Sequence, residues 1–379
     1  MGTATKERKK TSGLTFQAGD LLETLTAVVK AKPGHTPKPI LHNVRIGDGL
    51  MTATDLEVRI DAEIGQHCEP FLVSAARLQQ ILRSVAKDAD LSITPNGTSV
   101  TIETRGGKWE IPTEDAAEFP TWDVIDAKPV TTLPADQFAR NVRSVVYATD
   151  SDSSRYALGG MLIEVIGSHP VFVATDGRRL SSAEMETDQA LDDWVIDPKD
   201  EKKQKRAPLV PARAIELMEQ LAGKGKVQID ATAREIVCTT DIATITASLL
   251  EGRFPAWRDV FPKRDVEASV LLVRELEAAV RAASVCTSEQ SKGVVFKFGS
   301  VLELTSQSAE AGKASVTCDV TTPGQPARVK LEPRFVLDFL AGLDANDEPH
   351  VEVEAAGPGD AVILRCGDVR GVIMPMAAE

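Results

Sequence analysis

Apolar residues fall at helical spacing in six places along this chain. In three of them a short strand-like start runs directly into the helix: Leu14-Thr15-Phe16 before LLETLTAVV, Thr132-Leu133-Pro134 before QFARNVRSVV, and Leu271-Leu272-Val273 before ELEAAVRAAS. Leu22, Leu25, Val28 and Val29 take the three- and four-residue steps that gather side chains on one helical face. The other three predicted helices are VSAARLQQILRSV from Val73, VPARAIELMEQLA from Val210 and LEPRFVLDFLAGL from Leu331. Ser74 and Pro211 read as helix-start signals. Between the helices, stretches such as Ser99-Val100-Thr101-Ile102-Glu103 alternate as half-buried strands do.

These elements recur in one order. Thr54-Asp55 in MTATDLEV, Thr175-Asp176 in FVATDGRR and Thr305-Ser306 in LELTSQSA occupy equivalent places, and AEFPTW from Ala117 matches GRFPAW from Gly252. The period, roughly 120–135 residues, is far longer than a solenoid repeat, so the pattern is domain triplication. The predicted fold is α+β: three tandem similar domains, each with two helices packed on antiparallel sheets. Pro- and charge-rich stretches near 128–131 and 262–265 mark the boundaries, giving domains over 14–130, 131–262 and 263–379. A basic tail over 1–13 reads as disordered. A Lys-rich insert over 197–207, with the run DPKDEKKQKR, reads as a surface loop that interrupts the second domain.

Composition narrows the function. The net charge of −13 argues against coating nucleic acid by bulk attraction, and 4% aromatic residues argue against base-stacking platforms. There is no apolar run of membrane-spanning length and no apolar h-region behind MGTATKERKK, and Lys6 stands where a myristoylation motif wants Ser or Thr. Five dispersed cysteines, Cys68, Cys238, Cys286, Cys318 and Cys366, fit reduced and mostly buried thiols in a cytoplasmic protein. His35, His42, His67, His169 and His350 make no metal-ligand spacing. No phosphate loop, GxGxxG or GxSxG occurs, and Gly357-Pro358-Gly359 reads as a hairpin turn. Asp150 and Asp152 read as a solvated loop. No catalytic group, metal or cofactor is implied, and a triplicated scaffold without a chemical centre reads as a binding or structural device. An enzyme that has borrowed an α+β repeat is the reading these absences disfavour.

ATDGRRL, Ala174 to Leu180, resembles the ATDGHRL signature of the beta sliding clamps of bacterial DNA polymerase III. The resemblance continues through RYALGGMLIE (Arg155 to Glu164), GRFPAWRDVFPK (Gly252 to Lys263), VIMPM (Val372 to Met376), KPILHNVRI (Lys38 to Ile46) and ATDLEVRI (Ala53 to Ile60), in the family's order from about Leu14 onward. It implies a head-to-tail dimer closing a ring of six domains around duplex DNA, a heterologous contact that closes on itself. The implied partners are duplex DNA held without regard to sequence, the polymerase III catalytic subunit, an ATP-using clamp loader, other polymerases and repair proteins, and a second copy of the chain, with no membrane. A variant ring serving a different polymerase, or conferring inhibitor resistance, is the alternative within the same resemblance.

Carried over residue by residue, the resemblance implies a pocket for partner peptides at Leu158, Thr175, Gly177, Arg178, Arg179, Leu180, Pro255, Val260, Val372, Ile373, Met374, Pro375 and Met376. Aliphatic walls and polarizable Met suit varied apolar side chains. DNA-facing residues are expected at Lys30, His35, Arg77, Arg83, Arg140, Arg143, Tyr156, Arg213, Arg281 and Arg334, and a dimer interface at Trp109, Ile111, Val285 and Cys286. The chain departs from the family at Arg178, where His is common, at Ala157, where Tyr is usual, at Asp259, where a base often lies, and at its AAE ending.

Overall fold

A computed structural model describes residues 13–122, 126–152, 156–166, 169–186, 207–288, 292–343 and 349–377. The expected basic tail apart from Gly13, and the expected insert apart from Ala207, lie outside them; Ala207 is 6% exposed and buried in the core, not part of a surface loop. Among the described residues there are six α-helices: α1 (Ala18–Val28), α2 (Ala75–Ser84), α3 (Ala135–Val146), α4 (Ala212–Gln220), α5 (Val273–Ser284) and α6 (Pro333–Ala341). They coincide with the six segments expected from the apolar periodicity. None is long and apolar enough to cross a membrane.

Each helix begins where a strand stops, as Leu14–Gln17 runs into α1 and Ser269–Leu272 into α5. The first-turn amides are therefore met by backbone carbonyls of neighbouring loops: Ala18 N donates to Ala89 O, Ala212 N to Gly159 O and Val273 N to Pro349 O. Ser74 does stand at the N-cap of α2, but its side chain makes no capping hydrogen bond. Pro211 ends the strand before α4 instead of starting the helix. In α1, α4 and α5 backbone carbonyls thus serve amides that a capping side chain could otherwise take.

The chain forms two compact units. Unit 1 comprises 1–127, 221–225 and 237–248. It holds α1, α2, a four-stranded antiparallel sheet ordered Leu14–Gln17, Asp90–Pro95, Ser99–Thr104, Gly107–Pro112, and the antiparallel set Phe71–Ser74, Asn43–Gly47, Leu50–Thr54, Val58–Glu63, Thr244–Ser248. Leu25, Val28, Val44, Ile46, Ile60, Leu78 and Ile102 are wholly buried in it.

Unit 2 comprises 128–220, 226–236 and 249–379. Its larger sheet has eight antiparallel strands in the order Leu209–Pro211, Gly160–Ile166, His169–Thr175, Arg179–Glu184, Val369–Ile373, Val362–Cys366, His350–Glu354, Ser269–Leu272. The strand of the central repeat, Arg179–Glu184, pairs with the C-terminal strand Val369–Ile373, Leu180 opposite Val372. α3 and α6 cover one face, where Phe138 meets Phe172 edge-on at 6.0 Å. Gly371 lies beneath the Phe339 ring of α6, and a Cβ there would come within 2.7 Å of it. A second sheet, ordered Gly312–Asp319, Val301–Ser308, Val294–Phe298, Ala327–Leu331, packs on α5. The Gly357–Asp360 segment is the expected turn, closed by Asp360 N to Gly357 O.

The repetition extends to single hydrogen bonds. After Leu50–Thr54, Thr54 Oγ1 donates to Val58 O (2.8 Å) and accepts from Leu56 N (2.9 Å), while Asp55 Oδ1 accepts from the amides of Glu57 and Val58. After His169–Thr175, Thr175 Oγ1 donates to Arg179 O (2.6 Å) and accepts from Gly177 N (3.1 Å), while Asp176 Oδ1 accepts from Arg178 and Arg179. The third position has φ +84° at Leu56 and +86° at Gly177. Thr305-Ser306 departs from this pattern. It sits inside the strand Val301–Ser308, with Thr305 opposite Ser315, because the third copy extends its hairpin past the point where the others turn.

Leu56 pays the left-handed conformation that Gly177 adopts freely, roughly 1–2 kcal/mol for an L-residue, less what glycine loses in unfolded-chain entropy. Leu56→Gly is expected to raise stability by roughly 0.5–1 kcal/mol, read as a higher urea midpoint. A lower midpoint would mean that side-chain contacts of Leu56 outweigh the strain.

Candidate functional site: the outer face of the unit 2 sheet

Strand alternation decides what each residue near the Thr175–Leu180 turn can touch. Leu180 and Val372, 3% and 1% exposed, face away from the helices. They join Leu162, Val171, Val173, Ala207, Leu209, Phe254 and Trp257 in one apolar cluster, with Ala157, Leu250 and Phe261 packed against it. Thr175 pairs with Leu180 on the same face. In sequence, Pro255 follows the cluster member Phe254, while Leu158 and Val260 adjoin Ala157 and Phe261, which pack against the cluster. Pro255 is exposed, Val260 is 40% exposed and Met374 44%, leaving apolar surface above a closed floor. Pro375 and Met376 are half-buried, and the C-terminal segment is held by Met374 N to Arg178 O and Met376 N to Lys330 O, both 2.8 Å.

Three of the thirteen expected pocket residues, Arg178, Arg179 and Ile373, send their side chains toward the helices and away from the outer cluster. Arg179 and Ile373 pair with each other on the helix-facing side, so their side chains do not reach the outer face. Consecutive strand residues point to opposite faces, and a contiguous motif such as GRRLS therefore cannot all face one ligand. Arg179 is 7% exposed and donates from Nε to Asp176 Oδ2 (3.1 Å), from Nη1 to Asp338 Oδ2 (2.6 Å) and from Nη2 to Tyr147 O (2.6 Å). Its guanidinium lies 4.6 Å from the Phe335 ring centre and 5.2 Å from that of Tyr147. Burial, opposed by the Ser181 hydrogen bond and by Arg179, drives the Tyr147 phenol far above its ordinary value, so this ring is neutral across the working range. Arg178, 71% exposed, rests on the other Phe335 contact at 5.4 Å, with Glu332 at 4.0 Å.

Sequence reasoning missed the aromatic lid. Trp257 Nε1 donates to Glu164 Oε2 (3.0 Å), as does Arg258 Nη1 (2.7 Å), and Arg258 stacks on the Trp257 ring at 4.2 Å. Glu164 is 1% exposed, so this buried carboxylate pins the 257–260 turn to the sheet. Beside the lid is a cleft of about 400 Å³ lined by Ile166, His169, Val171, Glu184, Trp257, Arg258, Phe261 and Arg370. The recurrence of FPxW was the available signal for these residues.

The expected DNA-facing cations are placed on helices or short turns. Arg77, Arg83, Arg143, Arg213, Arg281 and Arg334 are exposed, as is His35, while Lys30 and Arg140 are half-buried. Tyr156 opens the turn Tyr156–Leu158, and its side chain lies outside the described ones. Arg143 pairs with Glu219 at 2.9 Å and Arg281 with Glu277. The six helices hold Arg77, Arg83, Arg140, Arg143, Arg213, Arg274, Arg281 and Arg334 against Asp20, Glu23, Asp136, Glu216, Glu219, Glu275, Glu277 and Asp338. They are balanced, so the whole formal excess of −13 lies outside them.

Of the expected interface residues, Val285 is 74% exposed beside a hollow formed with Arg274, Ala278, Arg281 and Ala282. Trp109 is half-buried on the edge strand Gly107–Pro112, its ring over Gly107. Ile111 is 4% exposed and faces Val100 within its own sheet, and Cys286 is half-buried. The five cysteines are free thiols, three of them buried. Burial, with Glu275 and Asp319 adding to it, pushes the Cys318 thiol up to about 11. Among the described residues no group of His, Cys, Asp and Glu could hold a metal ion.

Three copies of a two-helix unit on antiparallel sheets, two of them sharing one eight-stranded sheet, define the DNA-clamp class of architecture. The chain matches the DNA polymerase III beta subunit over its N-terminal (13–123), central (132–256) and C-terminal (258–377) domains. It is 28% identical to the beta sliding clamp of Escherichia coli K12, over 96% of this chain and 99% of that one. With the beta sliding clamp of Synechocystis it shares 23% identity, over 88% and 91%. The Pseudomonas aeruginosa sliding clamp, solved bound to griselimycin, superposes with a TM-score of 0.87 at 22% identity, covering 97% of this chain and all of that one. The Bacillus subtilis clamp gives 0.86 at 19%, with the same coverage. This chain belongs to the DNA polymerase III beta subunit family, the beta sliding clamps.

Trp257→Phe removes one donor from a carboxylate that cannot reach water. The expected cost is about 1–3 kcal/mol, seen as a lower urea midpoint. An unchanged midpoint would show that the remaining partners of Glu164, Arg258 among them, suffice without the indole.

Proposed function

We propose that two copies of this chain close head to tail into a ring that encircles duplex DNA, slides along it and tethers the polymerase III catalytic subunit and other partners, without catalysing a reaction itself. The three domains of each chain run over 14–130, 131–262 and 263–379. The dimer contact uses Trp109 and Ile111 of one copy against Val285 and Cys286 of the other. A separate loader opens the ring, and the protein works in the cytoplasm.

The observation that carries this reading is the charge partition. An acidic protein whose helices alone are balanced, with exposed arginines on them, suits a binder that holds DNA by enclosure and touches phosphates weakly. Bulk attraction would require the opposite overall sign. The groove at Leu180, Val372, Val260 and Met374 supplies the tether. It offers an apolar floor with exposed aliphatic and thioether walls to short peptides of the partners.

Enclosure has its own signature. Protein loaded on a nicked circular plasmid should stay bound in about 1 M salt, where the screening length is roughly 3 Å, and should leave once the plasmid is cut to a linear form. Retention on the linear form, or salt-sensitive loss from the circle, would refute the ring. For the tether, Met374→Ala should weaken the C-terminal peptide of the polymerase catalytic subunit by about tenfold, the worth of one buried apolar side chain of ~1.4 kcal/mol. Calorimetry on the dimer measures it, and equal affinity would remove Met374 from the pocket.

A further inference from the structure

We propose that Arg179 is a positioning residue for the peptide pocket, and that through Asp338 it links the pocket rim to the exposed surface of α6. The proposal rests on the pocket reading above and assigns Arg179 a role that does not require it to touch the peptide.

The chain contains its own control. The Thr54–Val58 turn has the same hydrogen bonds and the same left-handed third residue as Thr175–Arg179, yet Val58 stands where the second copy has Arg179. The turn therefore forms without the guanidinium. A buried charge that its own turn does not need must serve another element, since such a charge is kept only where it is fully paired. Its donors reach three elements at once: Asp176 in the turn, the Tyr147 carbonyl that follows α3, and Asp338 of α6. Phe335 of α6 carries both Arg178 and Arg179 on its ring. The Arg178 carbonyl in turn holds Met374 N, and Leu180 follows directly in the groove. Arg179 thus fixes α6 against the strand end that shapes the rim.

Asp338 is shared. Its Oδ2 lies 2.6 Å from Arg179 Nη1 and 3.6 Å from Nε of Arg334, a residue 74% exposed on the helix surface. A phosphate that draws Arg334 away leaves that oxygen to Arg179 alone and tightens the hold on the rim. By linkage, a peptide in the pocket must then favour DNA to the same degree.

The test measures binding of the polymerase C-terminal peptide to the full dimer, free and loaded on a nicked circular plasmid. Asp338→Asn and Arg179→Lys should each weaken the peptide about tenfold, and together no more than either alone. DNA should strengthen peptide binding roughly threefold in the unaltered protein, at the low end of typical coupling. Arg334→Ala, a surface change that leaves folding undisturbed, should reach that strengthened level without DNA and respond to DNA no further. A purely structural Arg179 would lower the unfolding midpoint and leave the DNA response in place. Asp338→Asn binding as tightly as the unaltered protein, or a DNA response that survives Arg334→Ala, would overturn the proposal. No peptide binding by the unaltered dimer would instead refute the pocket reading on which it rests.

Discussion

Unit 2 depends on one strand pairing, Arg179–Ala183 against Val369–Ile373, and on its register. Because side chains alternate, this ladder sorts two sets of residues. Leu180 and Val372 go to the outer cluster, while Arg179, Ser181, Gly371 and Ile373 go beneath α3 and α6. A slip of one residue would exchange the sets. Arg179 would then enter an apolar cluster without its carboxylates, and a side chain larger than hydrogen would meet Phe339 where Gly371 now lies. Each consequence costs several kcal/mol, so the register is fixed from both faces at once.

Each face also carries a buried charge that fixes a neighbouring element. On the outer face Glu164 receives Trp257 and Arg258, and so holds the 257–260 turn down on the sheet. On the helix face Arg179 holds α6 and the end of α3. Neither charge adds much net stability once desolvation is counted. What both supply is directional fixing in places where apolar contact alone would allow sliding. Leu180 and Val372 are compatible with several lid positions, whereas a carboxylate accepting two named donors is compatible with one.

The parts legible in the sequence are those set by local periodicity. All six helices follow from steps of three and four residues, and the strand-to-helix order from the alternation before them. Pairing across long sequence separation was not legible. Arg179 and Asp338 are 159 positions apart, and Trp257 and Glu164 are 93 apart, so nothing near either residue announces its partner. The motif GRRL reads as one site because its residues are contiguous, yet the pleat sends Arg179 and Leu180 to opposite faces. Thr305 misled for a similar reason. Its place in the repeat is right, but a longer hairpin carries the turn beyond it. Ser74 shows that a residue of preferred capping type need not use its side chain to cap.

Charge placement follows from the same architecture. On the proposed reading the helix surfaces lie near phosphates and cannot hold an excess of carboxylates, whereas a sheet face and its loops hold them in water at little cost. Balanced helices are a compromise between two failures. A strongly positive surface would bind phosphates too firmly to move along them, and a negative one would repel the duplex. Pairs within and between helices, such as Arg281 with Glu277 and Arg143 with Glu219, carry no net charge. Such pairs are worth little on an exposed surface, so they exchange readily for a phosphate and re-form when it passes. Arg334 differs from the others, because the carboxylate it meets one turn along its helix also holds the buried Arg179.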